Sequence, residues 1–248
     1  MQKTLVIYEV DLGLNHVIRK FAEKLPKSAH ALVPVPAGED QEGPGGVIVA
    51  CESFLIYKKH DHEERRCTIP ARYEQPIGEG LFIINSQTFY KPDVGVIIFI
   101  QSEVGDLYKI DLDHEGPQVL GMTIKYFDTI QPATKLVLLE SGYLFAAGDC
   151  SNHMIYRFTS LGQDGENQVS SSSFHKFKEA SLLQHFEALE RFMPQMEHQH
   201  LEVCDVMQNL ACITDIMVED LLGATAKGQQ GRKQIYVACG RQHNGTIR

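Results

Sequence analysis

Apolar positions in this chain gather in short dense runs, "VIVAC", "VIIFI", "YLFAA" and "IYVAC", rich in β-branched and aromatic residues. Runs of that length and content read as buried β-strands. Four segments share one layout: "GVIVACESFLIYKK" (46–59), "VGVIIFIQSEVGDLYKI" (94–110), "GYLFAAGDCSNHMIYRF" (142–158) and "QIYVACGRQHNGTIR" (234–248). Each holds an apolar strand, a polar or glycine-bearing turn and a second strand, which is the pattern of a hairpin. In the first three the second strand carries a tyrosine followed by a cation: Tyr57-Lys58, Tyr108-Lys109 and Tyr156-Arg157. The spacing is 51 residues from Tyr57 to Tyr108 and 48 from Tyr108 to Tyr156.

A hairpin returning every ~50 residues, with further strands between, is the mark of a β-propeller. "CTIP" and "LFIINSQTFY" supply the intervening strands in one interval, and "VLGMTIKYFD" with "KLVLLE" in the next. The expected fold is therefore all-β, a WD40-like propeller with blades of about four antiparallel strands. A β-sandwich also places turns every ~8–12 residues but does not call for a recurring Tyr-cation phrase. The repeat is read as packing, with small residues in "YLFAAG" letting the sheet sit close to its neighbours.

One stretch departs from the pattern. "FKEASLLQHFEALERFM" (177–193) places Leu183, Phe186, Leu189 and Phe192 three residues apart, which predicts a short amphipathic helix ended by Pro194. The polar run "GQDGENQVSSSS" before it reads as a surface loop, so an insertion is expected near 163–195. "LEVCDVMQNLACITDIMVEDLL" returns to strand character, and "GATAKGQQGRK" reads as a second exposed loop.

Composition bears on function mainly by exclusion. The formal charge of −9 argues against a dedicated nucleic-acid face. No apolar run approaches the ~18–20 residues of a membrane helix, and the N-terminus lacks the apolar core of a signal peptide. The six cysteines, Cys51, Cys67, Cys150, Cys204, Cys212 and Cys239, form no C-x-x-C pair and read as free thiols. The sequon Asn244-Gly245-Thr246 reads as a turn. "KKHDHEERRC" groups His60, Asp61, His62, Glu63, Glu64 and Cys67, all metal-ligating types, yet the run reads as an exposed turn. Glu197-His198-Gln199-His200 is read the same way. There is no G-x-S-x-G elbow and no phosphate loop. No catalytic, cofactor-binding or metal-binding residue is assigned, and the expectation is a non-enzymatic scaffold.

Longer phrases carry a resemblance. "YEVDLGLNHVIRK" (8–20), "GDLYKIDLD" (105–113), "IKYFDTIQPATKLVLLESGYLFAAGDCSNHMIYRFTSLG" (124–162) and "IYVACGR" (235–241) resemble the splicing factor 3b subunit 3 family. That family is related to the damaged-DNA-binding adaptor of cullin ubiquitin ligases and to the large subunit of the cleavage and polyadenylation factor. "NHVIRK" and "KYFDT" favour the splicing branch. The run 170–193 and the linker after Asp220 depart from the family's phrases.

The resemblance implies a part of a three-propeller protein: later blades of a first propeller over 1–222, a linker at 223–233, and first strands of a second propeller over 234–248. It implies that the chain starts inside the first propeller, with Met1 an internal methionine or the start of a truncated gene product, and stops within a strand. It further implies a nuclear role in the SF3b complex of the U2 small nuclear ribonucleoprotein, in branch-site recognition and spliceosome assembly. The implied partners are a HEAT-repeat subunit, a small companion subunit and other U2 proteins, with RNA contact indirect. "DLGLNH" (11–16) is a candidate partner-facing loop, with a turn between blades as the alternative. A partial ring is expected to expose strand edges and apolar faces, and so to self-associate.

Overall fold

The computed structural model describes residues 2–13, 15–37, 43–76, 79–91, 95–139, 141–148, 151–162, 168–170, 190–210, 213–220, 233–239 and 246–247. The chain opens with a long hairpin, β1 (Lys3–Asp11) and β2 (His16–Leu25). The first blade follows as β3 (Ala31–Pro34), β4 (Val47–Cys51), β5 (Phe54–Lys58) and β6 (Arg65–Thr68), ordered consecutively and antiparallel. After a short β7 (Ala71–Arg72) comes the second blade: β8 (Ile83–Lys91), β9 (Gly95–Ser102), β10 (Asp106–Glu115) and β11 (Gln118–Thr129). The third blade begins with β12 (Ala133–Leu139), β13 (Tyr143–Gly148) and β14 (His153–Phe158).

The chain then leaves that blade. β15 (Gln168–Ser170) adds a fifth strand to the outer edge of the second blade, beside β11. β16 (Arg191–Phe192) pairs in parallel with β7. Only then does β17 (Leu201–Met207) complete the third blade against β14. β18 (Ile213–Asp220), β19 (Lys233–Cys239) and β20 (Thr246–Ile247) form a last sheet, whose register from Ile213↔Cys239 to Asp220↔Lys233 joins the two sides of the expected linker. All four hairpins of the repeat are present as β4–β5, β9–β10, β13–β14 and β19–β20.

The amphipathic-helix expectation for 177–193 is corrected at its described end. Arg191–Phe192 is extended and belongs to a sheet, and Phe192 is buried in the core, while 177–189 lies outside the described residues. Phe192 had an apolar spacing that fitted a helix, but tertiary pairing with β7 decides its conformation.

The apolar runs of the first two blades are continuous because each of these blades buries both faces, whereas the third blade buries one face and leaves most of β17 exposed. In the first blade Ile48, Ala50, Leu55 and Tyr57 enter one core with Ile98, Ile100, Tyr108 and Ile110 of the second. Their alternating neighbours Val49, Cys51, Phe54 and Ile56 enter another with Leu5 and Leu25 of the opening hairpin. The second blade divides likewise: Phe99, Leu107 and Phe127 turn to the third blade and meet Leu136, Leu144 and Tyr156. A period-2 strand between two apolar neighbours must be apolar at every position.

Several buried polar groups at the blade junctions are paired. Arg72 Nε and Nη2 donate to the two carboxylate oxygens of Asp106 at 2.7 Å each, and Thr129 Oγ1 donates to Oδ1 at 2.7 Å. Asp106 is fully buried, and its hydrogen bonds, ahead of the opposing burial, raise the Arg72 pKa. Tyr108 reaches back to Pro70 O at 3.1 Å, and Tyr57 donates to Gly45 O at 2.8 Å. Removing one partner of a buried pair leaves an uncompensated charge at a cost of about 3–5 kcal/mol. Arg72→Met is expected to lower the unfolding free energy of the purified chain by about that amount in urea titration. A loss under about 1 kcal/mol would show that Asp106 finds another partner.

Candidate functional site

The opening hairpin is the most exposed regular element of the first half of the chain. β1 and β2 keep register from Lys3↔Leu25 to Ile7↔Phe21, then a bulge opposite Ile7/Tyr8 shifts the pairing to Tyr8↔Arg19. A bulge bends and twists the bulged strand. Leu5 and Leu25 are buried on the first blade and Ile7 and Phe21 half-buried there, whereas Tyr8, Val10 and Val17 are exposed on the outward face. Arg19 and Lys24 share that outward face with Thr4, Val6 and Ala22, which makes it apolar and cationic.

The tip carries the candidate loop. Gly13 N–H donates to Asp11 Oδ1 at 2.9 Å, Asn15 sits at φ 49°, and Leu12 is 88% exposed. An amide side chain tolerates that left-handed conformation. Since β1 and β2 pair with each other, "DLGLNH" turns a hairpin and does not pass between blades.

An ion cluster fixes the hairpin to the blade. Lys58 Nζ, on the buried end of β5, donates to Glu23 Oε2 of β2 at 2.8 Å and to Glu64 Oε2 at 2.7 Å. Burial pulls the Lys58 pKa down, but the two carboxylates outweigh it and leave the group above the ordinary lysine value. Burial raises the Glu64 pKa, yet Lys58 and the Arg66 guanidinium at 2.6 Å bring it below the usual range. Between β1 and β3 lies an open cavity of about 440 Å³, lined by Leu5, Val6, Leu25, Ala29, Leu32 and Val49 with Lys3 and His30 at its polar side.

The residues of "KKHDHEERRC" are dispersed by these structural duties. His60 pairs with Asp61 at 2.7 Å and lies edge-on to Phe21, while His62 Nδ1 is 2.8 Å from His60 O. Glu63 pairs with Arg65, Glu64 faces Lys58, and Cys67 is buried in the first core. His198 and His200, in the run 197–200 that reads as an exposed turn in the sequence, belong to a belt of residues 190–200. Asp128, fully buried, accepts N–H groups from Gln199 and His200 at 3.0 and 2.9 Å. Phe192 stacks on Tyr126 at 4.1 Å, and Arg191 Nη1 reaches the carbonyls of Arg72 and Tyr73. The ring of His200 covers Phe127 at 4.7 Å. Nothing in the chain pattern announced this belt, because its partners lie 40 to 119 residues away in sequence.

Among the described residues no group of three or more His, Cys, Asp and Glu side chains is placed to share a metal ion. Cys51, Cys67 and Cys239 are buried and Cys204 is exposed, all as free thiols; Cys150, Cys212 and the Asn244 sequon lie outside the described residues.

Sheets packed face to face around shared cores, with a tyrosine hairpin per blade, define a β-propeller arc. The first-β-propeller family described as RSE1/DDB1/CPSF1 matches residues 1–208, and the chain belongs to it. Spliceosome-associated protein 130 A of Arabidopsis thaliana is 34% identical over 247 residues, covering 100% of this chain and 19% of that protein. Splicing factor 3B subunit 3 of Drosophila melanogaster is 36% identical over 251 residues, with 100% and 19% covered. Pre-mRNA-splicing factor RSE1 of Mycosarcoma maydis is 35% identical over 248 residues, with 96% and 20% covered. The chain thus spans about a fifth of the length of the curated relatives it matches.

The cores also set an alkaline limit. Burial pushes the Cys51 thiol up to about 11, and Cys67, Tyr57 and Tyr156 up to about 12. Each is neutral in the fold, whereas in the unfolded chain the thiols ionise near 9.0 and the phenols near 10.0. Proton release therefore favours the unfolded chain once pH exceeds the ordinary values. These groups leave stability level from neutral pH to about pH 9 and lower it progressively through pH 11–12. Melting temperature measured against pH checks this; a flat curve to pH 11 would exclude it.

Proposed function

We propose that this chain is propeller scaffold of the splicing factor 3b type, acting in pre-mRNA splicing in the nucleus. The observation that carries the reading is identity of 34 to 36%, in alignments that cover the whole chain, to proteins named for splicing. The build agrees with a holding role: the Arg72–Asp106 fork at a blade junction is consumed by the fold, while the opening hairpin, connecting loops and strands β17 to β19 expose apolar side chains. Rigid frames that present exposed loops are suited to docking proteins.

In this reading the chain sits in the SF3b complex of the U2 small nuclear ribonucleoprotein and supports branch-site recognition. It docks a HEAT-repeat subunit and a small companion subunit, contacts RNA at most peripherally, and carries no catalytic group of its own. The net charge of −9 favours protein over RNA as the direct partner.

The test is affinity purification from nuclear extract with the tagged chain embedded in its full-length protein, followed by mass spectrometry. Recovery of SF3b and other U2 components is expected. Recovery of cullin and ubiquitin-ligase subunits would move the assignment to the adaptor branch, and recovery of cleavage and polyadenylation subunits to the third branch.

A further inference from the structure

We propose that the belt is a latch set from within the fold, its closed state coupled to the buried Arg72–Asp106 pair through a one-way chain of hydrogen bonds. Asp106 is fully buried and takes the Arg72 fork on both oxygens, so its carboxylate acts as an acceptor only. Thr129 Oγ1, 2.7 Å from Oδ1, therefore spends its one proton on Asp106. That leaves Tyr126, whose phenol lies 2.8 Å from Thr129 Oγ1, as the donor between the two hydroxyls. With its proton committed, the Tyr126 oxygen is an acceptor toward the belt, and Gln195 N–H donates to it at 3.2 Å.

A second arm returns to the belt from the other side of the same pair. Arg72 lies in β7, which β16 joins in parallel. Arg191 Nη1 donates to the Arg72 carbonyl at 3.2 Å. The N–H groups of Ala71 and Tyr73 donate to Glu190 O and Phe192 O at 2.9 and 3.0 Å. The route from Gln195 through Tyr126, Thr129, Asp106 and Arg72 to Arg191 thus begins and ends on the belt. Phe192 is buried and stacks on Tyr126 at 4.1 Å, which holds the phenol in line.

A closed chain of this kind opens as a unit. Each hydrogen bond polarises the next, and losing one member leaves its neighbours with an unpaired donor or acceptor away from water. Tyr126 and Thr129 lie on β11 with Asp128, which takes the N–H groups of Gln199 and His200 just ahead of β17. Opening the belt therefore loosens the lead into β17 and uncovers Phe192, while β4 and β5 keep their own ladder. Local opening of that sort takes place at a lower free energy than global unfolding.

Hydrogen exchange followed by mass spectrometry on the 248-residue chain tests the coupling, through peptides covering 69–75 and 190–200. Thr129→Val removes a hydroxyl that bonds to Asp106 and Tyr126 and to neither peptide, yet it is expected to speed exchange in both about tenfold. Arg191→Met, on the other arm, is expected to do the same. The two together are expected to give about tenfold to thirtyfold, whereas independent sites multiply to about a hundredfold. Peptides from β4 and β5 report on the fold and are expected to keep the parent rate. Parent exchange in 69–75 of the Thr129→Val chain overturns the proposal, and so does the hundredfold product. Loss of protection in β4 and β5 along with the belt overturns it too, since the belt then opens only with the whole fold.

Discussion

The first two blades of this protein each have to bury two faces at once, and much of the remaining structure follows from that constraint. β5 shows it most plainly: all five of its residues are buried, Leu55 and Tyr57 against the second blade, Phe54 and Ile56 against the opening hairpin. At roughly 25 cal/mol for each Å² of apolar area removed from water, strands that bury both faces dominate the stability of a sheet protein. They also remove the option of a polar face. Each blade is thereby stable only in the company of the next, and the shared cores tie the opening hairpin and three blades into one cooperative arc.

Two-sided burial also dictates where polar groups go. Where strands end between two blades, backbone and side-chain groups lose water and need partners inside the protein. The phenols of Tyr57 and Tyr108 serve that need, each bonding a carbonyl of a connecting segment. The fully buried Asp106 and Asp128 serve it too, one taking the Arg72 fork and the other a pair of belt N–H groups. A buried carboxylate is tolerated only when such donors surround it. The belt thus fastens the closing strand of the third blade, β17, to the second blade and to the segment between the first two.

How much of this was legible in the sequence depended on range. The hairpin phrase, its period and the intervening strands are local patterns, and they are found as β4–β5, β9–β10, β13–β14 and β19–β20 with β6, β8, β11 and β12 between. The tyrosine was visible as a repeat, but not its reason, since the partners Gly45 and Pro70 are 12 and 38 residues away. Phe192 was misread because period and apolarity cannot distinguish a helix turn from two extended residues paired with a distant strand. Arg72 had no sequence signal at all: its importance comes from Asp106, 34 residues on and at the start of β10 in the second blade. In "KKHDHEERRC" the metal-ligating residue types are visible in the sequence, and the run reads as an exposed turn, but its ion pairing is not visible. Glu64 is committed to Lys58 and Arg66, and Cys67 faces the core.

The same constraint explains why the exposed chemistry is placed where it is. Within the arc, the sides of β4, β5, β9 and β10 are committed to cores, so variation there costs packing. The hairpin is different. Leu5, Leu25 and the Glu23–Lys58 pair hold its base, while beyond the bulge its strands no longer contribute fully buried residues. Substitutions at Tyr8, Val10, Leu12 or Val17 therefore leave the cores untouched while altering an apolar, cationic surface. Rigidity at the base and freedom beyond the bulge give a scaffold a surface that can specialise for a partner without rebuilding the blades that carry it.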